Sequence, residues 1–275
     1  MAITAAMVKA LREKTGAGMM DCKKALVESG GDEEQAVVYL REKGLAKAAK
    51  KAGRATSEGL VGSFVSADGK TAALVELKCE TDFVAKNEEF QSFVADLAEK
   101  VAGMDVTSGS AEELPEDMAD VSGLIAKLGE NMQVGRFAKL TADGTIGLYI
   151  HSNGKIGTAV ALSGSDNAEA AKDVAMQVAA VNPICVTPDE LPQENVEKEK
   201  AIYLKQAMDE GKPEEIAEKI VMGRVNKYYK EVCLMEQPFI KEDKKSVKQY
   251  LKDAAGGATV SGFIRLALGE DDAED

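Results

Sequence analysis

The chain holds one histidine, His151, and four cysteines, Cys22, Cys79, Cys185 and Cys233, which lie 57, 106 and 48 residues apart. A single imidazole cannot build a multi-histidine metal site. His151 sits at a predicted strand end beside Ser152, with no nucleophile or partner base marked out for it, and reads as a solvated polar residue. No cysteine pair has the spacing of a chelating or redox motif, so the thiols read as reduced, in a reducing compartment. Gly62 and Gly69-Lys70-Thr71 imitate a phosphate-binding loop. That loop needs four residues between its glycines and a helix after the Lys-Thr pair; here six intervene and Thr71 opens a strand, so the segment is a hairpin tip. Gly16-Ala17-Gly18 imitates a dinucleotide fingerprint without a preceding strand, and Asp21 stands where the third glycine belongs. The carboxylates are spread along charged helix faces, and none pairs off as an acid and a base. These residues predict no enzyme, no cofactor and no bound metal.

Two short segments carry a different chemistry, that of contact with another protein. In Cys79-Glu80-Thr81-Asp82-Phe83-Val84-Ala85-Lys86-Asn87, a large aromatic and a carboxylate occupy the joint between a strand and an amphipathic helix. Neither periodic face requires Phe83 to be buried. It either packs under the hairpin while Thr81 or Asp82 caps the helix, or projects as an apolar wedge beside a negative charge. Met19-Met20 after a glycine turn poses the same choice between core and adaptable contact surface.

The elements that must position these segments follow from period and punctuation. Residues 4–43 predict three short helices. The first carries Met7, Val8 and Leu11 and stops at Gly16 and Gly18; the second runs from Met19 to Glu28 before Gly30-Gly31. The third is capped by Asp32, with Gln35 in capping-box position, and stops at Gly44. Ala46 to Arg54 (AKAAKKAGR) is either a basic RNA-contacting patch or a solvated helical linker, and the overall charge favours the linker. From Gly59 the period becomes alternating, with a hairpin turning at Asp68-Gly69. Phe90, Phe93, Val94, Leu97 and Val101 then mark an amphipathic helix. After an acidic insert at 108–120, Val134 to Leu140, Ile146 to Ile150 and Ile156 to Leu162 read as strands, with turns at Asp143-Gly144 and Asn153-Gly154; a helix follows from Asn167 to Val181. Hairpin-then-helix thus occurs twice, predicting two α+β subdomains with antiparallel sheets. Glu194 to Glu210 and the helix after Pro213 form an inserted antiparallel helical hairpin too poor in apolar residues to bury much alone. A short helix near Ser246 to Lys252, a closing strand from Val260 to Leu266 and an acidic tail from Glu270 to Asp275 end the chain.

Composition narrows the class. Over 275 residues, 47 Asp and Glu against 34 Lys and Arg leave a net charge of −13, which argues against direct nucleic-acid or membrane-surface binding, since phosphate neutralisation needs excess cations. No apolar run approaches the roughly 18 residues that span a bilayer, and Met1 to Lys9 lacks the features of a signal peptide. The expectation is a cytoplasmic protein that works on a protein partner.

The segment TGAGMMDCKKAL (Thr15 to Leu26), TDFVAKN (Thr81 to Asn87), KPEEIAEKIVMGR (Lys212 to Arg224), Gln237-Pro238-Phe239 and Gly262-Phe263-Ile264-Arg265 together resemble the bacterial elongation factor Ts family, in the family's order and across nearly the whole chain. The resemblance implies a guanine-nucleotide exchange factor for the GTPase elongation factor Tu. It implies a ubiquitin-associated-like three-helix docking module at 1–54, core subdomain N at 55–140 and the first part of core subdomain C at 141–188. A helical hairpin of dimerisation type at 189–232 and a return to subdomain C with a C-terminal module at 233–275 complete the order; the low apolar content of the hairpin predicts that any homodimer through it is weak or supported by other surfaces. By the same resemblance Thr81, Asp82, Phe83 and Val84 enter the GTPase beside its Mg²⁺ site, with Phe83 as wedge. Leu11, Met19 and Met20 match the module's partner-binding positions, and His151, Gly154, Ile156 and Gly157 are assigned to a second contact in subdomain C. A rival reading is an adaptor of the same fold that holds a GTPase or a ubiquitin-like partner as a chaperone, without nucleotide release.

Overall fold

A computed structural model describes residues 2–270; of the acidic tail, residues 271–275 lie outside the described residues. Helices α1 (Ala5–Thr15), α2 (Met19–Glu28) and α3 (Glu33–Ala49) form the N-terminal module. Thr4 caps α1 and Asp32 caps α3, each side chain accepting from the backbone N–H three residues on. Val8, Leu11, Cys22, Ala25, Leu26 and Ala36 fill a small core. Asp21 ties α2 to α3 by accepting from Lys43 at 2.6 Å and Lys47 at 3.0 Å. These hydrogen bonds hold the Asp21 carboxyl below its ordinary value of 3.8. A depressed carboxyl contributes stability that is full above its unfolded value and lost as pH falls through the folded one. The module is therefore expected to melt earlier at pH 3 than at pH 7, and Asp21→Asn should remove part of that difference. Thermal melts of both proteins at the two pH values check it.

The third helix does not stop at Gly44. It continues to Ala49 and lays Gly44 against α7 (Ser122–Leu128), where a Cβ would stand 3.6 Å from both Ala126 Cβ and Ser122 O. Gly44 thus packs on α7 at ordinary van der Waals distance, and the Ala-rich segment behind it is helix to Ala49 and turn beyond, largely exposed as a solvated helical linker is, with Ala48 packed on the core.

Strands β1 (Glu58–Val65), β2 (Thr71–Cys79), β3 (Ser108–Gly109) and β4 (Met132–Thr141) make an antiparallel sheet in the order β1-β2-β4-β3. Between β2 and β3 lie a single turn, α4 (Asp82–Ala85), and α5 (Glu88–Gly103); α6 (Glu116–Ala119) and α7 precede β4. A second antiparallel sheet joins β5 (Thr145–Ile150), β6 (Ile156–Ser163) and β9 (Thr259–Ala267), covered by α8 (Ala168–Val181). The Asp143-Gly144 turn therefore links strands of different sheets and closes no hairpin. The remaining elements are the long pair α9 (Gln193–Asp209) and α10 (Glu214–Val232), the small ladder β7 (Pro238–Phe239) with β8 (Glu242–Ser246), and α11 (Val247–Ala254).

The two sheets pack face to face with α5 and α8 outside, which gives an α+β architecture of four layers. In β2, Ala73, Val75 and Leu77 face α5, whereas Ala72 and Leu74 meet residues of the second sheet. Burial on both faces is why β2 reads as a continuous apolar run. The exception, Glu76, is fully buried and paired with Arg136, whose Nη2 donates to Glu76 Oε1 at 2.6 Å and to Ala267 O of the second sheet at 2.9 Å. The helical pair has a separate cluster around Val196, Val221 and Val225, with Arg224 5.8 Å from the centre of the Tyr203 ring. Ile202, Met208, Ile216 and Met222 are left on its outside.

Candidate partner-binding site

Phe83 is 81% exposed. It stands on α4, a single turn pinned to the sheet by what surrounds it. Ala85 is buried and Val84 packs on the core beneath α5. Thr81 caps the turn by accepting from Val84 N, and Cys79 Sγ donates to Thr81 O at 3.1 Å. Burial, reinforced by the nearby Glu130 charge, pushes the Cys79 thiol up to about 11, so it stays a neutral donor. Asp82 is exposed and accepts from Lys86 Nζ at 2.6 Å, a bond that holds its carboxyl below the ordinary range. Both alternatives left open by the sequence are realised in part: Thr81 is the cap, and the aromatic beside it projects into solvent. A large apolar ring held outward on a fixed turn is surface without a partner.

The N-terminal module presents Met19 and Met20, 46% and 74% exposed, at the start of α2. Leu11 is fully buried in the module's own core. It supports the shape of that face from within; the resemblance that groups it with Met19 and Met20 does not separate a core-facing leucine from a partner-facing residue.

The four residues assigned to a contact in the second subdomain divide. His151 is exposed, its Nδ1 3.0 Å from the Tyr149 hydroxyl. Gly154 and Gly157 instead join the two sheets internally: Gly154 O accepts from Val61 N at 2.8 Å, and a Cβ on Gly157 would stand 2.6 Å from Val61 Cγ1. Ile156 is half-buried and pairs with Ala267 in β9. Of the four, His151 alone is exposed.

The fold also places together what spacing kept apart. A parallel bridge between Cys185 and Cys233 at the base of the helical pair brings their sulfurs to 3.5 Å. All four cysteines are free and buried, and burial pushes Cys233 up to about 12. Among the described residues no group of three or more His, Cys, Asp and Glu is placed to hold a metal ion, and no helix is long and apolar enough to cross a membrane.

The family model described as Elongation factor TS matches residues 80–270, from the strand end before Phe83 to the end of the described chain. The chain belongs to the elongation factor Ts family. Full-length relatives agree. A protein named elongation factor Ts from Nitratidesulfovibrio vulgaris (strain DP4) is 52% identical, covering 100% of this chain and 99% of its own. Those of Clostridium kluyveri (strain NBRC 12016) and Clostridium botulinum (strain Alaska E43 / Type E3) are 51% and 49% identical, each covering 98% of this chain and 93% of their own. These alignments extend through the three-helix module that precedes the family match, so the segments bearing Met19-Met20 and Phe83 both lie within the likeness to elongation factor Ts.

Proposed function

We propose that the protein is a guanine-nucleotide exchange factor for elongation factor Tu in translation. The observation that carries this is the outward Phe83 on its pinned turn, within a chain of the elongation factor Ts family. An exchange factor forms no bond. It binds the nucleotide-free partner more tightly than the nucleotide-bound one, and nucleotide weakens its binding by the same ratio. In this reading Met19 and Met20 dock the module on the GTPase, and Asp82-Phe83 enters beside the partner's Mg²⁺ site. An apolar ring between helices there displaces the groups that neutralise the β-phosphate, GDP leaves, and the empty complex persists until GTP binds.

The direct test is release of a fluorescent GDP analogue from elongation factor Tu as the factor is titrated. Acceleration that saturates with factor supports exchange; a stable complex without acceleration would falsify it and leave an adaptor. The docking role is separable. Met20→Asp removes an apolar contact of about 2 kcal/mol and is expected to raise the half-saturating concentration at least tenfold, with the maximal release rate nearly unchanged. A variant that loses maximal rate at unaltered half-saturation would assign Met20 to the release step and overturn the docking role.

A further inference from the structure

The loop that carries Phe83 is held by two consecutive residues about 50 positions downstream, between α7 and β4. Glu130 takes Thr81 with both carboxylate oxygens: the Thr81 hydroxyl donates to Oε1 at 2.6 Å and its N–H to Oε2 at 2.9 Å. Asn131, only 2% exposed, faces the other way. Its N–H donates to Glu80 Oε1 at 2.6 Å, and its Nδ2 donates to Arg54 O at 2.8 Å and Ala52 O at 3.3 Å in the segment leaving the N-terminal module. Arg54 in turn pairs with Glu80 at 3.4 Å, and Lys51 Nζ donates to Gly129 O. The wedge side and the module side of the molecule therefore meet on one dipeptide.

We infer that Glu130 and Asn131 are positioning residues for exchange, a clasp that fixes the Phe83 turn relative to the N-terminal module so that docking of the module delivers the wedge. The inference rests on the exchange reading. Its physical ground is that α4 is one turn of four residues and has no helical stability of its own. Phe83, being exposed, contributes no packing that would hold the turn. Its direction is set by the anchors at its start, and Thr81 is the anchor that both caps the turn and takes the carboxylate. Without Glu130, the Thr81 N–H and hydroxyl lose a charged, two-point acceptor, the strong class of hydrogen bond. Asn131 then ties the same short loop to the module's exit, so the two contact regions share one reference point.

The test compares Glu130→Ala, Glu130→Gln, Thr81→Val and Phe83→Ala in the full chain. Two measurements are made: amide hydrogen exchange of the free factor, and GDP release from elongation factor Tu. In Glu130→Ala, amides 82–86 should exchange faster while those of β1 and β2 stay protected. The maximal release rate should fall about tenfold, with half-saturation within threefold of wild type. Glu130→Gln, which keeps one acceptor, should recover part of the rate. Thr81→Val, which keeps the backbone N–H bond to Glu130 but loses both the hydroxyl bond and the cap to Val84 N, should show a loss between about threefold and tenfold and stands in should Glu130→Ala fail to fold. Unaltered amide exchange in Glu130→Ala overturns the clasp, as does faster amide exchange with wild-type release. Wild-type release in Phe83→Ala overturns the wedge reading first and the clasp's purpose with it, so the two failures are told apart.

Discussion

Phe83→Ala is expected to lower the maximal rate of GDP release from elongation factor Tu about thirtyfold while the half-saturating concentration shifts less than threefold. The size follows from area. A phenylalanine ring this exposed buries on the order of 150 Å² when inserted, a gross gain of about 4 kcal/mol, part of which is spent separating the partner's helices. A net loss of about 2 kcal/mol from the releasing state corresponds to the stated rate. The asymmetry follows from where the contacts lie: Met19 and Met20 sit on a different helix of a different module and keep docking the variant. Linkage supplies an independent check at equilibrium, since a variant that loosens nucleotide less must itself bind the GDP and nucleotide-free forms with affinities closer together. Titrating release against factor concentration, beside the variant's affinity for the two forms of the GTPase, decides the matter. A raised half-saturating concentration with the maximal rate kept would make Phe83 an ordinary docking contact.

The sequence made the repeated hairpin-then-helix units legible because their alternating and 3.6-residue periods are strong and their turns are marked by Asp-Gly and Asn-Gly. What local pattern does not encode is which partner a face meets. Leu11 and Met20 are both apolar residues of short helices, yet one is core and the other surface, and only the packing of three helices separates them. Gly44 looked like a stop because glycine usually ends helices. Here α7, 80 residues later, covers it, and the alanines that follow carry the helix on. For Phe83 the choice was open because a single turn has no periodic face. The Glu130 clasp had no signal at all: its bonds cross 49 residues, and a lone glutamate after a glycine resembles any solvated helix end. Gly154 and Gly157 are assigned to a contact loop by resemblance alone, and no local pattern shows that these two let one sheet rest on the other.

The second large effect concerns stability. Gly147 lies in β5 opposite Val160 of β6, as Gly62 lies in β1 opposite Val75 of β2. In each case the glycine stands beneath a helix of its own subdomain. A Cβ on Gly62 would stand 2.6 Å from Val94 O of α5, and one on Gly147 would enter the backbone of Ala171 and Lys172 in α8. Backbone cannot rotate away as a side-chain tip can, so Gly147→Ala must lift α8 from its sheet. Ala171, Val174 and Val178 of that helix are fully buried and would lose their contacts together. The expected cost is about 3 kcal/mol, the upper part of the range for overpacking, read as a fall in the urea midpoint and in Tm. The sharper test is regional. Amides of β5, β6 and α8 should lose hydrogen-exchange protection while those of β1 and β2, under α5, keep most of theirs. Gly62→Ala should show the reverse. Equal loss across both sheets in each variant would mean that the face-to-face contact between them, with Arg136 reaching from β4 to Ala267 O, makes the core one cooperative unit rather than two similar halves.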